Sequence, residues 1–496
     1  MLYNIEEIMA YTSAFLVYKR SDEIFNKKYN LTCNSSKSNA DSIFLSYQLT
    51  INRKPVNTFI NGRAETAIKK NGTRGLFLDK KIYLAEETKP IIKDYIDNGY
   101  IDFIILTTLD STVDAAAELC KHTVQKVSDK TKFVAVTGSI GKTSTTEMIA
   151  AVLSQSHSVY KSSVSNLRIQ ILDAINNIDE ESDYMVIECS GAVKGHLEKH
   201  SKMFSPSGII ITRATSEGIG KYGSIDNISK EKSRLMTFMD ENSVAVLNDT
   251  ESFRRYASGY RPRKYFVKDG SYELIETGHQ GSKFIFEGNE YQIPVVGLHQ
   301  IDNAIKVITL ARELRIKVAD IQNGLKTFKQ AYDRWVVDKY KNNVTLITDI
   351  PNNPSYETLI ANIKTFLDLY KDAPYKRLCI SSIQELGNFE LDYYLKLSKY
   401  LITLPVDEIS VMDTERDNKV KFIYDYIKSH SNIKTIFFER PKALNLDDEF
   451  VKYLKNSLNF PQATLLKIQD DNNDLHTGRI KDILRDALPD IYLSRN

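Results

Sequence analysis

Short runs of consecutive apolar residues recur along the chain, separated by stretches with helical spacing. Phe133-Val134-Ala135-Val136, Tyr184-Met185-Val186-Ile187, Gly208-Ile209-Ile210-Ile211 and Val244-Ala245-Val246-Leu247 are four of them. Runs without polar alternation predict strands buried on both faces, as in a parallel sheet covered by helices. After the first run, Met148, Ile149, Val152 and Leu153 fall on one helical face. A second series predicts another doubly wound unit: Val344-Thr345-Leu346-Ile347, Leu378-Cys379-Ile380, Ile409-Ser410-Val411, Thr435-Ile436-Phe437-Phe438 and Thr464-Leu465-Leu466. Earlier, Ile43-Phe44-Leu45 and Phe103-Ile104-Ile105-Leu106 read as strands among polar turns. The predicted class is α/β with three domains. A small α/β domain spans 1–128, a central doubly wound parallel sheet spans 129–333, and a Rossmann-like domain spans 334–496. No short-period repeat or low-complexity stretch interrupts the pattern.

Composition narrows the picture. A chain of 496 residues exceeds one ordinary core, and 42 % hydrophobic with 26 % charged residues fits a soluble globular protein. A formal net charge of +2 provides no global field toward nucleic acid or membrane. Cys33, Cys120, Cys189 and Cys379 are far apart, so neither a zinc site nor a disulfide framework is indicated. The start lacks a basic region followed by an apolar one, and no apolar run approaches the ~18 residues of a membrane span. These features predict a cytoplasmic protein without a membrane span or nucleic-acid partner, acting as a monomer.

The candidate chemistry begins where the first central strand ends, at Thr137-Gly138-Ser139-Ile140-Gly141-Lys142-Thr143-Ser144. Gly138 and Gly141 let the backbone approach a phosphate, and the N–H groups of Ser139 and its neighbours can point inward. The following helix N-terminus, including Ser144, adds partial positive charge. Lys142 can reach the terminal phosphates, and the Thr143 hydroxyl can hold Mg²⁺. Position 136 carries Val136 where the full phosphate-loop spacing has glycine, so this is a GxxGKT variant. It predicts an ATP-dependent enzyme.

At this loop the chain begins to resemble the Mur ligases, cytoplasmic amino-acid ligases that build the peptide of bacterial cell-wall precursors. The resemblance extends, with gaps, over nearly the whole chain. A GNxNN-type segment reads Ser162-Ser163-Val164-Ser165-Asn166, retaining Asn166. A strand ending in a metal-binding glutamate resembles Val186-Ile187-Glu188. In register, Lys230-Glu231-Lys232 places Lys232 where the family carries a carbamylated lysine. The adenine-side signature resembles Gly297-Leu298-His299-Gln300-Ile301-Asp302-Asn303-Ala304, and the junction arginine resembles Arg334. Asp349-Ile350-Pro351-Asn352-Asn353-Pro354 is similar to a motif of the third-residue-adding ligases. Gln384-Glu385-Leu386-Gly387 and Leu466-Lys467 are similar to segments of the dipeptide-adding branch. In the first domain, Cys33 to Phe44 lines up with the uridine-cradling segment, retaining Ser35 and Phe44. Three departures stand out: an Asp-His pair is replaced by Glu217-Gly218, an arginine is replaced by Ser36, and the DNPR motif is absent.

The resemblance implies ATP-dependent amide formation through an acyl phosphate, joining an amino acid or dipeptide to a small nucleotide-linked peptide. Lys142, Glu188, Lys232 and His299 are the implied catalytic groups. Thr143, Glu188 and carbamylated Lys232 are the implied Mg²⁺ ligands. Gly138, Ser139, Gly141, Lys142, Thr143, Ser144, Asn303, Arg334 and Asp349 would hold nucleotide, and Ser35, Asn166, Asn352 and Lys467 would face substrate. Blander readings stand beside these. Lys232 lies in a charged helical stretch that could be a solvated face. His196 and His200, four apart, share a helix face but have no evident carboxylate partner as metal ligands. The same chemistry on a non-peptidoglycan peptide such as polyglutamate, and an ATP-binding scaffold without turnover, remain as alternatives.

Overall fold

The computed structural model describes residues 1–51, 54–162, 168–191, 193–330, 334–349, 355–414, 417–439, 448–458, 460–468, 480–489 and 492–495. Each apolar run named above lies in a strand. The central sheet is wholly parallel, in the order Arg263–Val267, Val244–Asn248, Gly208–Ile211, Lys132–Thr137, Tyr184–Glu188, Val159–Lys161. Lys132–Thr137 pairs with Tyr184–Glu188 on one side and Gly208–Ile211 on the other. Its carboxyl end is therefore a topological switch point, where doubly wound sheets hold ligands. Glu188 is in register with Val136 and Ile211 with Thr137, so the loops after all three strands converge there.

Burial on both faces explains the uninterrupted runs. Val134, Val136, Val186 and Ile210 pack against Ile149, Val152, Ile301 and Ile305 from helices Lys142–Leu153 and Leu298–Glu313. Ala135, Met185, Ile187 and Ile209 face the opposite side, in one core with Leu119, Ile171 and Leu172. Each fully buried side chain of this size contributes about 1.5–3 kcal/mol. Gly324 lets helix Val318–Thr327 cross the phosphate-loop helix closely, since a Cβ there would lie 2.7 Å from the backbone nitrogen of Val152.

The N-terminal sheet runs Ala14–Lys19, Phe103–Thr107, Gly75–Asp79, Ser42–Leu45, Asn30–Thr32, with only the first pair antiparallel. Helix Thr112–Val127 leads from it to the central sheet, and residues of both sheets share one hydrophobic cluster. The C-terminal sheet runs Lys434–Phe438, Glu408–Met412, Lys376–Ser381, Gln462–Lys467, Val344–Thr348, Val336–Tyr340, Tyr492–Arg495. Its inner strands are parallel, and the last two pairings are antiparallel.

One feature of the central region departs from the predicted parallel sheet. Glu273–Gly278, Gly281–Phe286 and Asn289–Ile293 form a separate antiparallel sheet. Tight turns at Gly278–Gly281 and Glu287-Gly288 reverse the chain; Gly281 and Gly288 take φ of +111° and +76°. Phe284 and Phe286 face the helical core from one side of this ribbon, while most of Glu273–Gly278 is exposed.

Candidate functional site

The phosphate loop is built on conformations that its glycines alone allow. Gly138 has φ of +151°, and a Cβ there would collide with the Thr212 hydroxyl. Gly141 has φ of +80°, and its Cβ would sit 2.8 Å from both amide atoms of Asn303. The loop is tied to the neighbouring strand: Ser139 N–H donates to the Arg213 carbonyl at 2.6 Å, and the Thr212 hydroxyl donates to the Ile140 carbonyl at 2.5 Å. Helix Lys142–Leu153 then starts with no side-chain cap, which leaves its first N–H groups facing the loop. Lys142 Nζ folds back to the Ser139 carbonyl at 2.5 Å, and Ser144 lies in the first helical turn.

Glu188 and Thr143 meet at the end of the adjacent strand. The Thr143 hydroxyl donates to Glu188 Oε2 at 2.9 Å, and the Glu188 backbone N–H donates to Ser162 Oγ at 3.3 Å. A hydroxyl and a buried carboxylate side by side suit a hard divalent cation. Residues 163–167, including the sequence-predicted Asn166, lie outside the described residues, as does Asn352.

Lys232 is not on a solvated face. Ser224 caps the helix Ile225–Ser233 by accepting the Asn227 N–H, and that helix carries Lys232 inward until only 7 % of the residue is exposed. A Cβ on Gly191 would lie 3.1 Å from its Nζ. Burial, with the Lys142 charge adding, pulls its amine down to about 8, against the opposing pull of Glu217, Glu231 and Glu385. Glu217 is the residue whose role sequence reasoning left open. Its Oε1 lies 3.6 Å from Lys142 Nζ. Burial raises its carboxyl above the ordinary value despite Lys142 and Lys232.

The C-terminal sheet brings Asp349 and Lys467 together, 118 residues apart in sequence, as a buried ion pair. Asn362 Nδ2 also donates to Asp349, and the Trp335 N–H approaches it at 3.4 Å. Burial would raise the Asp349 carboxyl, but Lys467 and Arg334 more than offset it and hold it low. Burial lowers the Lys467 amine. Three of the predicted residues, Arg334, Asp349 and Lys467, thus form one electrostatic group. Lys467, expected to face substrate, spends its charge on Asp349. His299 feels the same group: burial and the charges of Arg213 and Lys467 lower its imidazole to about 4, against Asp349. Asn303 lies against Gly141 on the adjoining helix.

A network beside the loop has no counterpart in the sequence reading. Arg213 Nε bonds Asp269 at 2.8 Å and its terminal nitrogen bonds Asp302 at 2.5 Å, while buried Lys306 reaches Asp269 at 2.7 Å. Arg213 and Lys306 are 93 residues apart, so only tertiary structure joins them.

In the first domain, Ser35 lines a cavity of about 260 Å³ with Cys33, Asn34, Arg63 and Gln170. The Ser35 carbonyl accepts Asn71 Nδ2 at 2.5 Å. Arg63 donates to the Tyr47 hydroxyl at 2.8 Å and places a guanidinium in this cavity, although Ser36 replaces the family arginine. Among the described residues no cluster of three or more metal-ligating His, Cys, Asp or Glu occurs, and no helix is long and apolar enough to cross a membrane.

A parallel sheet with a glycine loop at its switch point, flanked by two further α/β units, is the architecture of a multidomain α/β protein with a candidate phosphate site. Residues 136–311 match the Mur ligase middle domain. The chain is 24 % identical over 308 residues to the UDP-N-acetylmuramoyl-tripeptide–D-alanyl-D-alanine ligase of Bacillus subtilis. That match covers 61 % of this chain and 66 % of the relative's length, slightly under two thirds. The crystal structure of MurF from Acinetobacter baumannii shares the fold with a TM-score of 0.75 at 18 % identity, covering 98 % of this chain and 99 % of that one. MurF of Thermotoga maritima in complex with ADP superimposes with a TM-score of 0.67 at 18 % identity, over 92 % and 96 % of the two chains.

Proposed function

We propose that the chain is an ATP-dependent amide ligase that adds a dipeptide of the D-alanyl-D-alanine type to a UDP-N-acetylmuramoyl-tripeptide in the cytoplasm. The observation that carries this reading is the convergence of Lys142, the Thr143–Glu188 pair and buried Lys232 at one switch point, with Asp349 and Lys467 supplied by a third domain. The relatives' dipeptide-adding activity favours this acceptor over polyglutamate.

A carboxylate does not react with an amine at neutral pH without activation. The N–H groups from Gly138 to Thr143 would cradle the ATP phosphates, and Lys142 would follow charge onto the transferring phosphoryl group. The acceptor carboxylate oxygen attacks the γ-phosphorus and ADP leaves, giving an acyl phosphate. The dipeptide amine attacks the acyl carbon and phosphate leaves, forming the amide. Thr143 and Glu188 have the donor chemistry to hold Mg²⁺, which would supply positive charge against the phosphate oxygens. A neutral Lys232 amine, favoured by its lowered pKa, would add to CO₂ with loss of a proton, giving a carbamate that serves as an anionic ligand. Asp349 and Arg334 would face the nucleotide from the C-terminal domain, and the Ser35–Arg63 cavity would take the uridine end of the acceptor. The 1–128, 129–333 and 334–496 units thus correspond to acceptor, ATP and amine domains of one working monomer.

The test is phosphate release from Mg-ATP with UDP-N-acetylmuramoyl-tripeptide and D-alanyl-D-alanine, with Lys142→Ala as control. Release that needs both substrates and disappears in the variant supports the proposal. Release driven by glutamate-type acceptors instead would move the assignment to polyglutamate chemistry, and ATP binding without any release would favour the scaffold reading.

A further inference from the structure

The phosphate loop lies between two walls of the central domain. One wall is the stretch from Thr212 to Thr215, which follows strand Gly208–Ile211 and belongs to no helix or strand. The Arg213 carbonyl accepts the Ser139 N–H at 2.6 Å, the Thr212 hydroxyl donates to the Ile140 carbonyl at 2.5 Å, and the Thr215 N–H donates to Ser139 Oγ at 3.2 Å. The other wall is helix Leu298–Glu313, whose Asn303 amide would stand 2.8 Å from a Cβ on Gly141. On the first side a Cβ on Gly138 would stand 3.2 Å from the Arg213 nitrogen. The loop is thus in close contact with both walls, and a shift of either one moves it.

The Arg213 side chain joins the two walls. Its terminal nitrogen bonds Asp302 at 2.5 Å, and Asp302 is the chain neighbour of Asn303. Its Nε bonds Asp269 at 2.8 Å, in the turn after strand Arg263–Val267. Asp302 also accepts the Gly270 N–H at 2.8 Å, which fastens that turn to the helix. Lys306, one turn further along the helix and fully buried, reaches Asp269 at 2.7 Å. Two cations face two carboxylates, so these four charges balance one another and act as a tie. A planar guanidinium can hold two carboxylates in fixed directions, which a lysine ammonium cannot. Without a strand ladder, the stretch 212–215 depends on this anchored side chain for its position.

We infer that Arg213 is a positioning residue for ATP. Its guanidinium ties the wall 212–215 to helix Leu298–Glu313 and sets the width of the seat in which the phosphate loop lies. Asp302 and Asp269 then act on the grip for phosphate through Arg213, without touching the nucleotide. The consequence for ATP rests on the ligase reading above, whereas the tie itself does not.

The experiment compares wild type with Arg213→Lys, Arg213→Met, Asp302→Asn and the double variant Arg213→Met with Asp302→Asn. Arg377→Met, far from the loop, controls for loss of stability alone. The readouts are amide exchange over residues 138–143, ADP affinity by calorimetric titration, and Tm. Each Arg213 and Asp302 variant should speed exchange over 138–143 and weaken ADP about tenfold. Arg213→Met leaves two carboxylates facing Lys306 alone and should lower Tm most. The double variant leaves Lys306 balanced by Asp269, so Tm should move back toward wild type while exchange stays fast and ADP weak. Arg213→Lys keeps the charge and decides the matter if Arg213→Met does not fold. Arg377→Met should lower Tm with exchange over 138–143 and ADP affinity unchanged. ADP affinity that follows Tm, recovering in the double variant or falling in Arg377→Met, would overturn the positioning role. Weaker ADP without faster exchange would overturn the tie by showing that Arg213 meets the nucleotide directly. Absence of ADP binding in wild type would remove the ligase reading; exchange would still decide the tie, which falls if 138–143 is unchanged in the Arg213 variants.

Discussion

Glu217→Gln isolates the electrostatics of the phosphate loop. In the structure Lys142 is shared between the Ser139 carbonyl and the Glu217 carboxylate 3.6 Å away. On the proposed function, a nucleotide phosphate would have to displace that carboxylate. The gross attraction of unit charges at this distance is about 5 kcal/mol for an effective dielectric of 20. Burial removes most of it: the carboxyl is raised above its ordinary value, so desolvation outweighs the pull of Lys142 and Lys232. About 1–1.5 kcal/mol of net competition remains, or roughly tenfold in affinity. Glutamine keeps the shape and loses the charge. Calorimetric titration with ATP in chelator should therefore show about tenfold tighter binding to Glu217→Gln. The pH dependence has a defined sign. A carboxyl raised in the folded state favours folding below its unfolded value and opposes it as pH rises through the folded one, so Glu217→Gln should raise Tm at pH 8 and leave it unchanged at pH 4. Unchanged or weaker chelator-phase binding would refute the competition.

Three further outcomes follow from the same geometry. Gly141→Ala must adopt a left-handed φ and push its Cβ into Asn303, costing about 1–2 kcal/mol in backbone strain alone; ATP affinity measured by titration should fall at least tenfold. Arg377, 1 % exposed, bonds Glu408, Ser457 and Gln462 at 2.7 Å each, so Arg377→Met should lower urea stability by about 3–5 kcal/mol, a loss softened by the Lys434 and Tyr375 contacts that Glu408 retains. His200 and His299 are lowered to about 3 and about 4, chiefly by burial, and neither His200 nitrogen has a hydrogen-bond partner. Their folded forms bind fewer protons than the unfolded chain between those values and 6.5. Stability is therefore complete above about pH 6.5 and falls by up to about 1.4 kcal/mol per pH unit for each group as pH drops. His200→Leu should flatten that slope in Tm measured from pH 7.5 to 5.

The strands and the phosphate loop were legible in the chain because their determinants are local. A run such as Gly208-Ile209-Ile210-Ile211 can be buried only as a strand covered on both faces. Gly138 and Gly141 mark a turn whose φ values no side chain tolerates, ahead of a helix that starts at Lys142. Motif spacing singled out Lys232, but the charged residues around it were equally compatible with a surface helix. Only packing of Ile225–Ser233 beneath Gly191 separates the two. The antiparallel ribbon 273–293 was missed because its outer strand carries exposed and polar positions, leaving turn glycines as its main signal.

What the sequence determined by itself is the repertoire: parallel α/β units, a glycine loop leading from a strand into a helix, a Thr in that helix's first turn and a Glu at a strand end. Tertiary structure decided which charges face one another. Glu217 against Lys142, Asp349 against Lys467, Arg213 between Asp269 and Asp302, and Gly220 beneath Gly387 all join residues separated by dozens to more than a hundred positions. Backbone conformation and burial follow from nearest neighbours and local periodicity, whereas an ion pair or an interdomain contact depends on where distant elements come to rest.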